Sequence, residues 1–294
     1  MSRFAIIEAP SILGLRPTGV DTLPEALLRE GLIDRLRARH AGRVVPQSPY
    51  DSERDPATLT LNANGIASYS RALADEVGDV LDRGEFPVVL GGDCSILLGD
   101  LLALKRRGQF GLLFIDGHAD FYNPEANPSG EAASMDLALA TGRGPDILTN
   151  IEGRGPLVKD EDVVAFGYRD IAEQAAYGSQ PLPPDLLALD LDSIRSRGLE
   201  EAARESVSHL TRDGGPKDGF WVHVDADVLD DAIMPAVDYR LPGGLAWDEL
   251  TTVLRAAMAP QRAVGLDVTI YNPKLDPIGA AARGLTDVIC NGLT

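Results

Sequence analysis

Cysteine is nearly absent from this 294-residue chain, which carries only Cys94 and Cys290. Two isolated thiols exclude a disulfide framework. Long apolar runs are also missing: nothing approaches the roughly 18 consecutive apolar residues of a membrane span. The opening segment, MSRFAIIEAP, has one arginine and a short apolar run ending at Glu8. It is too short for a secretory signal and reads as a first strand, so a cytoplasmic location is expected. Basic charge is scarce, with 27 Lys and Arg against 45 Asp and Glu and a net charge of -18. That balance makes nucleic acid and anionic membrane surfaces poor partners. It suits either attraction of a cationic small molecule or plain solubility. Repeats, low-complexity tracts and linkers are absent, and one domain spanning 1–294 is expected. Apolar residues at 44% and charged residues at 24% are ordinary for a globular protein.

What is present is an alternation of short apolar runs with helical stretches. Phe4-Ala5-Ile6-Ile7, Phe86 to Leu90, Gly111 to Asp116, Val163 to Gly167, Phe220 to Asp225 and Ala263 to Asp267 read as strands. Helices are expected from Pro24, over Ile66 to Leu81, and over Ser95 to Lys105. Residues 50–62 and 121–134 read as loops rich in Pro, Asn, Asp and Ser. Cys290 lies in the apolar run TDVICNGL, expected to be a terminal core helix, and His40 and His209 lie in polar stretches expected to be surface helix. Near-continuous apolar strands separated by helices predict a three-layer α/β fold with a central, mostly parallel sheet. Ligands bind beyond the carboxyl ends of such strands, so the polar residues that end them are the ones to inspect.

Two strand ends are unusually acidic. Side chains two apart on an extended chain face the same way. Asp116, His118 and Asp120 therefore share one side of their segment, and His223, Asp225 and Asp227 share one side of theirs. Carboxylates so crowded repel unless divalent cations offset them. Carboxylate with imidazole suits Mn, Fe, Ni or Zn. Two ions bridged by carboxylates, about 3.5–4 Å apart, would activate a shared water. His223 shares a strand face with Asp225 and is a candidate for acid–base work, or else a residue that holds its strand.

The ordered motifs Gly91-Gly92-Asp93-Cys94-Ser95, Asp116-Gly117-His118-Ala119-Asp120 and Asp225-Ala226-Asp227-Val228-Leu229-Asp230 resemble the three signatures of arginases, agmatinases and related ureohydrolases. Further matches, including Gly167-Tyr168-Arg169-Asp170, Pro242-Gly243-Gly244 and Gly265-Leu266-Asp267, extend the resemblance over nearly the whole length. It implies an arginase-like fold, usually trimeric or hexameric, and two Mn(II) ions bridged by a hydroxide that attacks a guanidinium or amidine carbon. Cys94, Asp116, Asp120 and Asp225 would hold one ion; His118, Asp116, Asp225 and Asp227 would hold the other. Asp120 would also hold the hydroxide, and Asp93 would support the ligands. Asn123, Ser129 and Glu131 would meet a small-molecule substrate.

The pattern breaks in four places. Cys94 stands where the family has histidine; as a thiolate it would leave one excess negative charge on the ligand set and favour Fe, Ni or Zn more than imidazole does. Ile270 stands at the usual guanidinium-binding glutamate, Ala133 at the proton-shuttling histidine of arginases, and Ala172 at their amino-group-binding aspartate. The expectation is a hydrolase of linear C–N bonds in a guanidino, hydroxyguanidino or amidino compound. A non-guanidine amide substrate and a metal-poor structural or regulatory homologue are the alternatives.

Overall fold

Strands buried on both faces need covering layers on both sides, and that is the arrangement found. The computed structural model describes residues 3–294, and among them eight parallel strands form one sheet. They are β1 (Phe4–Ala9), β2 (Arg39–Arg43), β3 (Phe86–Gly91), β4 (Gly111–Ile115), β5 (Val163–Phe166), β6 (Leu187–Leu189), β7 (Phe220–Asp225) and β8 (Ala263–Thr269). Their order is β2-β1-β3-β8-β7-β4-β5-β6. The fold is the expected three-layer α/β arrangement, with a wholly parallel sheet.

Alternate strand residues feed two cores. Ile6, Val88, Ile115, Val224 and Leu266 pack on one face with residues of the helices Leu199–Leu210, Trp247–Met258 and Ala280–Leu293. Ile7, Val89, Phe114, Ala165 and Trp221 pack on the other with the helices Ala63–Asp82 and Leu97–Lys105. Cys290 is buried within the last helix.

Two elements depart from expectation. The edge strands β2 and β6 carry no strand signal in the sequence. β2 reads Arg-His-Ala-Gly-Arg and is only half-buried, because an edge strand has one neighbour and one open side. β6 is three residues long. His40 therefore lies on a strand rather than a helix, with Nε2 2.8 Å from Glu8 Oε1. His209 is helical as expected, with Nε2 2.8 Å from the Glu161 carbonyl oxygen.

The connections decide where a site can form. Between β3 and β4 the chain passes over two sheet positions that β7 and β8 later fill. The carboxyl ends of β3, β8, β7 and β4 thus lie side by side at the middle of the sheet. One row of paired residues runs across them: Val89 with Asp267, Asp267 with His223, and His223 with Phe114. Polar side chains from different parts of the sequence meet on one sheet face because of this register.

Candidate metal centre

Tight turns bring the acidic strand ends together. After β3 the chain bends so closely that a side chain at Gly92 would put its Cβ 1.8 Å from the Ser11 carbonyl oxygen. Buried Asp93 then accepts hydrogen bonds from the Ser95 and Gly14 amides, at 2.9 and 3.2 Å, and aims Cys94 inward. After β4, Gly117 gives the same kind of access. A Cβ there would stand 2.6 Å from the Asp227 carbonyl oxygen, and its own amide donates to Asp227 Oδ1 at 3.1 Å. Asp120 ends this turn in the left-handed region, at φ 44°, which an aspartate tolerates.

The resulting cluster is buried. Asp116, Asp225 and Asp227 are each under 5% exposed, and Cys94 and His223 are fully buried. The Cys94 thiol donates to Asp225 Oδ2 at 2.9 Å and lies 3.2 Å from Thr269 Oγ1. His118 Nδ1 is 2.9 Å from Asp227 Oδ2 and 3.8 Å from Asp116 Oδ1. Backbone amides also orient the carboxylates: that of His118 donates to Asp116 Oδ1 at 2.6 Å, and that of Asp227 to Asp225 Oδ1 at 2.7 Å.

The electrostatics are those of a buried acid cluster. Burial, with the Asp227 charge beside it, pushes Asp116 up to about 6. Burial first, and then neighbouring carboxylates, push Asp120, Asp136 and Asp225 well above the usual carboxylate range. Burial also opposes ionisation of Asp227, but the neighbouring His118 overrides it and holds that carboxyl low. Burial followed by the Asp225 charge raises the Cys94 thiol. Asp116 Oδ2, Asp136 Oδ2 and His223 Nε2 have no hydrogen-bond partner among the described residues. Buried polar atoms are rarely left so. Divalent cations fit this donor set, because they meet the unpartnered atoms and offset the carboxylate repulsion together.

Three groupings bring donor atoms within 4.8 Å of one another: Asp116 with His118 and Asp227; Cys94 with Asp116 and His223; Cys94 with Asp120 and Asp136. Five of the six residues expected to ligate metal are in these groupings; Asp225 is in none of them and meets them through its contact with Cys94. Sequence reasoning missed Asp136, which starts the short helix Asp136–Ala140. Its signal was a lone carboxylate at the head of the run Leu-Ala-Leu-Ala.

A cavity of about 440 Å³ opens above the cluster, lined by Cys94, His118, Asp120, Asp225 and Asp227 on its floor. Of the residues expected to meet a substrate, Glu131 and Ser129 line it and Asn123 does not. The Asn123 side chain accepts from the Ala126 amide at 2.8 Å and is used in closing its own turn. Asn127 lines the wall instead, donating to the Glu131 carbonyl and to Ser134 Oγ, both at 2.9 Å. Tyr239, also unanticipated, lines the wall and donates from its hydroxyl to Glu131 Oε2 at 2.6 Å. Arg16 Nε lies 3.3 Å from the other Glu131 oxygen. His223 lies beneath the floor and does not line the cavity.

A parallel α/β sheet with buried carboxylate, imidazole and thiol donors at its central strand ends, under a small-molecule cavity, defines a metallohydrolase-type centre. The chain belongs to the arginase family, whose family model matches residues 2–293. It is a metal-dependent hydrolase, as members of this family are, and the family uses a binuclear metal centre. An arginase from Bacillus caldovelox is 30% identical over 285 residues, which is 94% of this chain and 93% of that protein. An arginase from Staphylococcus aureus (strain MRSA252) is 29% identical over 280 residues, 92% of this chain and 90% of that one. The solved structure of the Bacillus caldovelox arginase matches with a TM-score of 0.87 and 27% identity, covering 100% of this chain and 98% of that one.

Proposed function

We propose that this protein hydrolyses a guanidino, hydroxyguanidino or amidino compound other than free arginine, at a pair of divalent cations on the cavity floor. The observation that carries this reading is the cluster of buried carboxylates at that cavity: Asp120, Asp225 and Asp227 line it, and Asp116 and Asp136, grouped with them or with their neighbours, keep unpartnered oxygens. Asp116 and Asp225 would bridge the ions, His118 and Asp227 would complete one site, and Cys94 and Asp120 would contribute to the other. Cations held there would supply Lewis acidity and lower the pKa of water to near neutral pH. Mn(II) is the expected ion, and a Cys94 thiolate would widen the choice to Fe, Ni or Zn. Asp120 lines the cavity and can accept a hydrogen bond from the reacting water. Glu131, held between Tyr239 and Arg16, offers negative charge on the wall to a polar or cationic group.

Two apolar positions favour a substrate less basic than arginine. Ile270 and Ala133 both line the cavity, where a carboxylate and an imidazole would grip a guanidinium and pass a proton to the departing amine. The same feature keeps a non-guanidine amide as the second reading. By resemblance, the chain is read as one domain that assembles as a trimer or hexamer. The test combines metal analysis of purified protein with steady-state comparison of arginine, agmatine, guanidino acids and N-hydroxyguanidines by urea release. Arginine turnover with kcat/KM above about 10⁴ M⁻¹s⁻¹ would overturn the exclusion of arginine. No release of urea from any guanidine compound by metal-loaded protein would favour the amide reading.

A further inference from the structure

His223 has an unusual environment for a core histidine. It is fully buried on β7, stacked on Phe114 with ring centroids 4.7 Å apart and planes 15° apart. Its Nδ1 lies 2.6 and 3.0 Å from the two oxygens of Asp267. Asp267 also takes a hydrogen bond from Trp221 Nε1 at 3.2 Å, and an indole can only donate. A carboxylate accepting from both sides fixes the tautomer, with the proton on Nδ1 and the Nε2 lone pair aimed away from Asp267. Metal-ligating histidines recurrently have this arrangement, one ring nitrogen donating to a carboxylate and the other free for the ion.

Nε2 faces Asp136. It has no hydrogen-bond partner among the described residues, and neither has Asp136 Oδ2, which stands 4.0 Å from it. A purely structural histidine would satisfy both nitrogens. A ring nitrogen of His223, Cys94 Sγ and an Asp116 oxygen lie within 4.8 Å of one another, and Cys94, Asp120 and Asp136 form an overlapping group of the same size. With Nδ1 taken up by Asp267, Nε2 is the nitrogen free to ligate. Ligands at about 2.0–2.3 Å from one ion are separated by no more than about 4–4.6 Å, so these donors could converge with side-chain movements of a few tenths of an ångström.

We propose that His223 Nε2 is a metal ligand, supplying from β7 the imidazole that position 94 lacks, and that Asp136 joins it on the same ion. The cation on the Cys94 side would then be held by His223 and Asp136 as well as by Cys94, Asp116, Asp120 and Asp225, with Asp267 orienting the imidazole. This rests on the reading that the pocket binds divalent cations.

The test uses purified full-length protein, stripped with chelator and reloaded with Mn(II) or Co(II). In wild-type protein with ¹⁵N-labelled histidine, pulsed EPR of the Mn(II) form should show two coupled imidazoles, His118 and His223; His40 and His209 lie outside the site. In His223→Asn the amide can still meet Asp267 but cannot reach the ion. One of the two Co(II) ions should bind at least about 100-fold more weakly, with the other unchanged. Apo-protein melting curves check that the variant folds. A single coupled imidazole in metal-loaded wild type, or unchanged affinity for both ions in a folded His223→Asn, overturns the proposal alone. Wild-type protein that binds none of Mn, Co, Fe, Ni or Zn overturns the metal reading and this proposal with it. The wild-type spectrum decides the matter if the variant does not fold.

Discussion

Three residues at the site differ in how replaceable they are. Cys94 is buried with its thiol donated to Asp225, so its contribution is to one side of the cluster. Cys94→Ala should weaken one ion by tenfold or more and leave the other unchanged. Cys94→His should keep both ions and shift preference away from the softer metals. Competitive metal titration distinguishes these outcomes, and unchanged affinities in the alanine variant would make Cys94 a bystander. Ile270 lines the cavity at φ 69°, a left-handed conformation that a β-branched side chain adopts at a cost. A glutamate there would be less strained and would return a carboxylate to the wall. A buried charged partner is typically worth about 3–5 kcal/mol. Ile270→Glu should therefore raise kcat/KM for arginine on the order of 100-fold. No gain would mean that Ala133 or Ala172 limits arginine more than Ile270 does. His223, by contrast, was visible in the sequence only as a neighbour of Asp225. Its partners Asp267 and Asp136 come from distant segments, so its environment could not be read from spacing.

At the level of elements, the site depends on turns more than on strands. The strand after the Gly91-Gly92 pair cannot continue, because the chain there touches the turn that follows β1. A methyl group at position 92 would meet backbone, not a side chain that could swing aside. Gly92→Ala should therefore destabilise the fold by about 3 kcal/mol or more, measured by denaturant unfolding. It should also reduce metal affinity, because Cys94 and Asp93 are carried by the same turn. A stability loss below about 1 kcal/mol would show that this turn relaxes easily. The buried strands were legible because residues covered on both faces must be apolar throughout. The edge strands β2 and β6 were not, since an exposed, half-paired strand is under no such demand. The loop over residues 121–134 was recognised as a loop, yet which of its polar groups face the cavity was not. Asn123 and Asn127 are four apart in similar sequence, and only the path of the chain makes one a turn residue and the other part of the wall.

For the molecule as a whole, the central question is what offsets the buried acid cluster. Cations that bind the folded chain but not the unfolded one add stability by mass action, about 2.7 kcal/mol for each ion present at 100 times its Kd. For a chain of this length that corresponds to a rise in Tm of several degrees per ion. Calorimetry with and without chelator should show it, and a Tm indifferent to every divalent cation tried would argue against a metal centre. The sequence by itself determined the layered parallel architecture and the chemistry of the strand ends. Burial forces long apolar strands, and the acidic residues stand at their carboxyl ends. The expected period of two does not group them, because the chain leaves β4 at Ile115 and β7 at Asp225 and turns place Asp120 and Asp227. Only the tertiary structure decided which segments meet. Strand order sets β7 and β8 between β3 and β4, and the register aligns His223 with Asp267. The turn into Asp136–Ala140 places a second unpartnered carboxylate against that ring. These juxtapositions join residues far apart in the chain, as in the pair Cys94 and Asp225, 131 positions apart. No local pattern records them, because pairing across a parallel sheet is set by the packing of the intervening helices rather than by spacing along the chain.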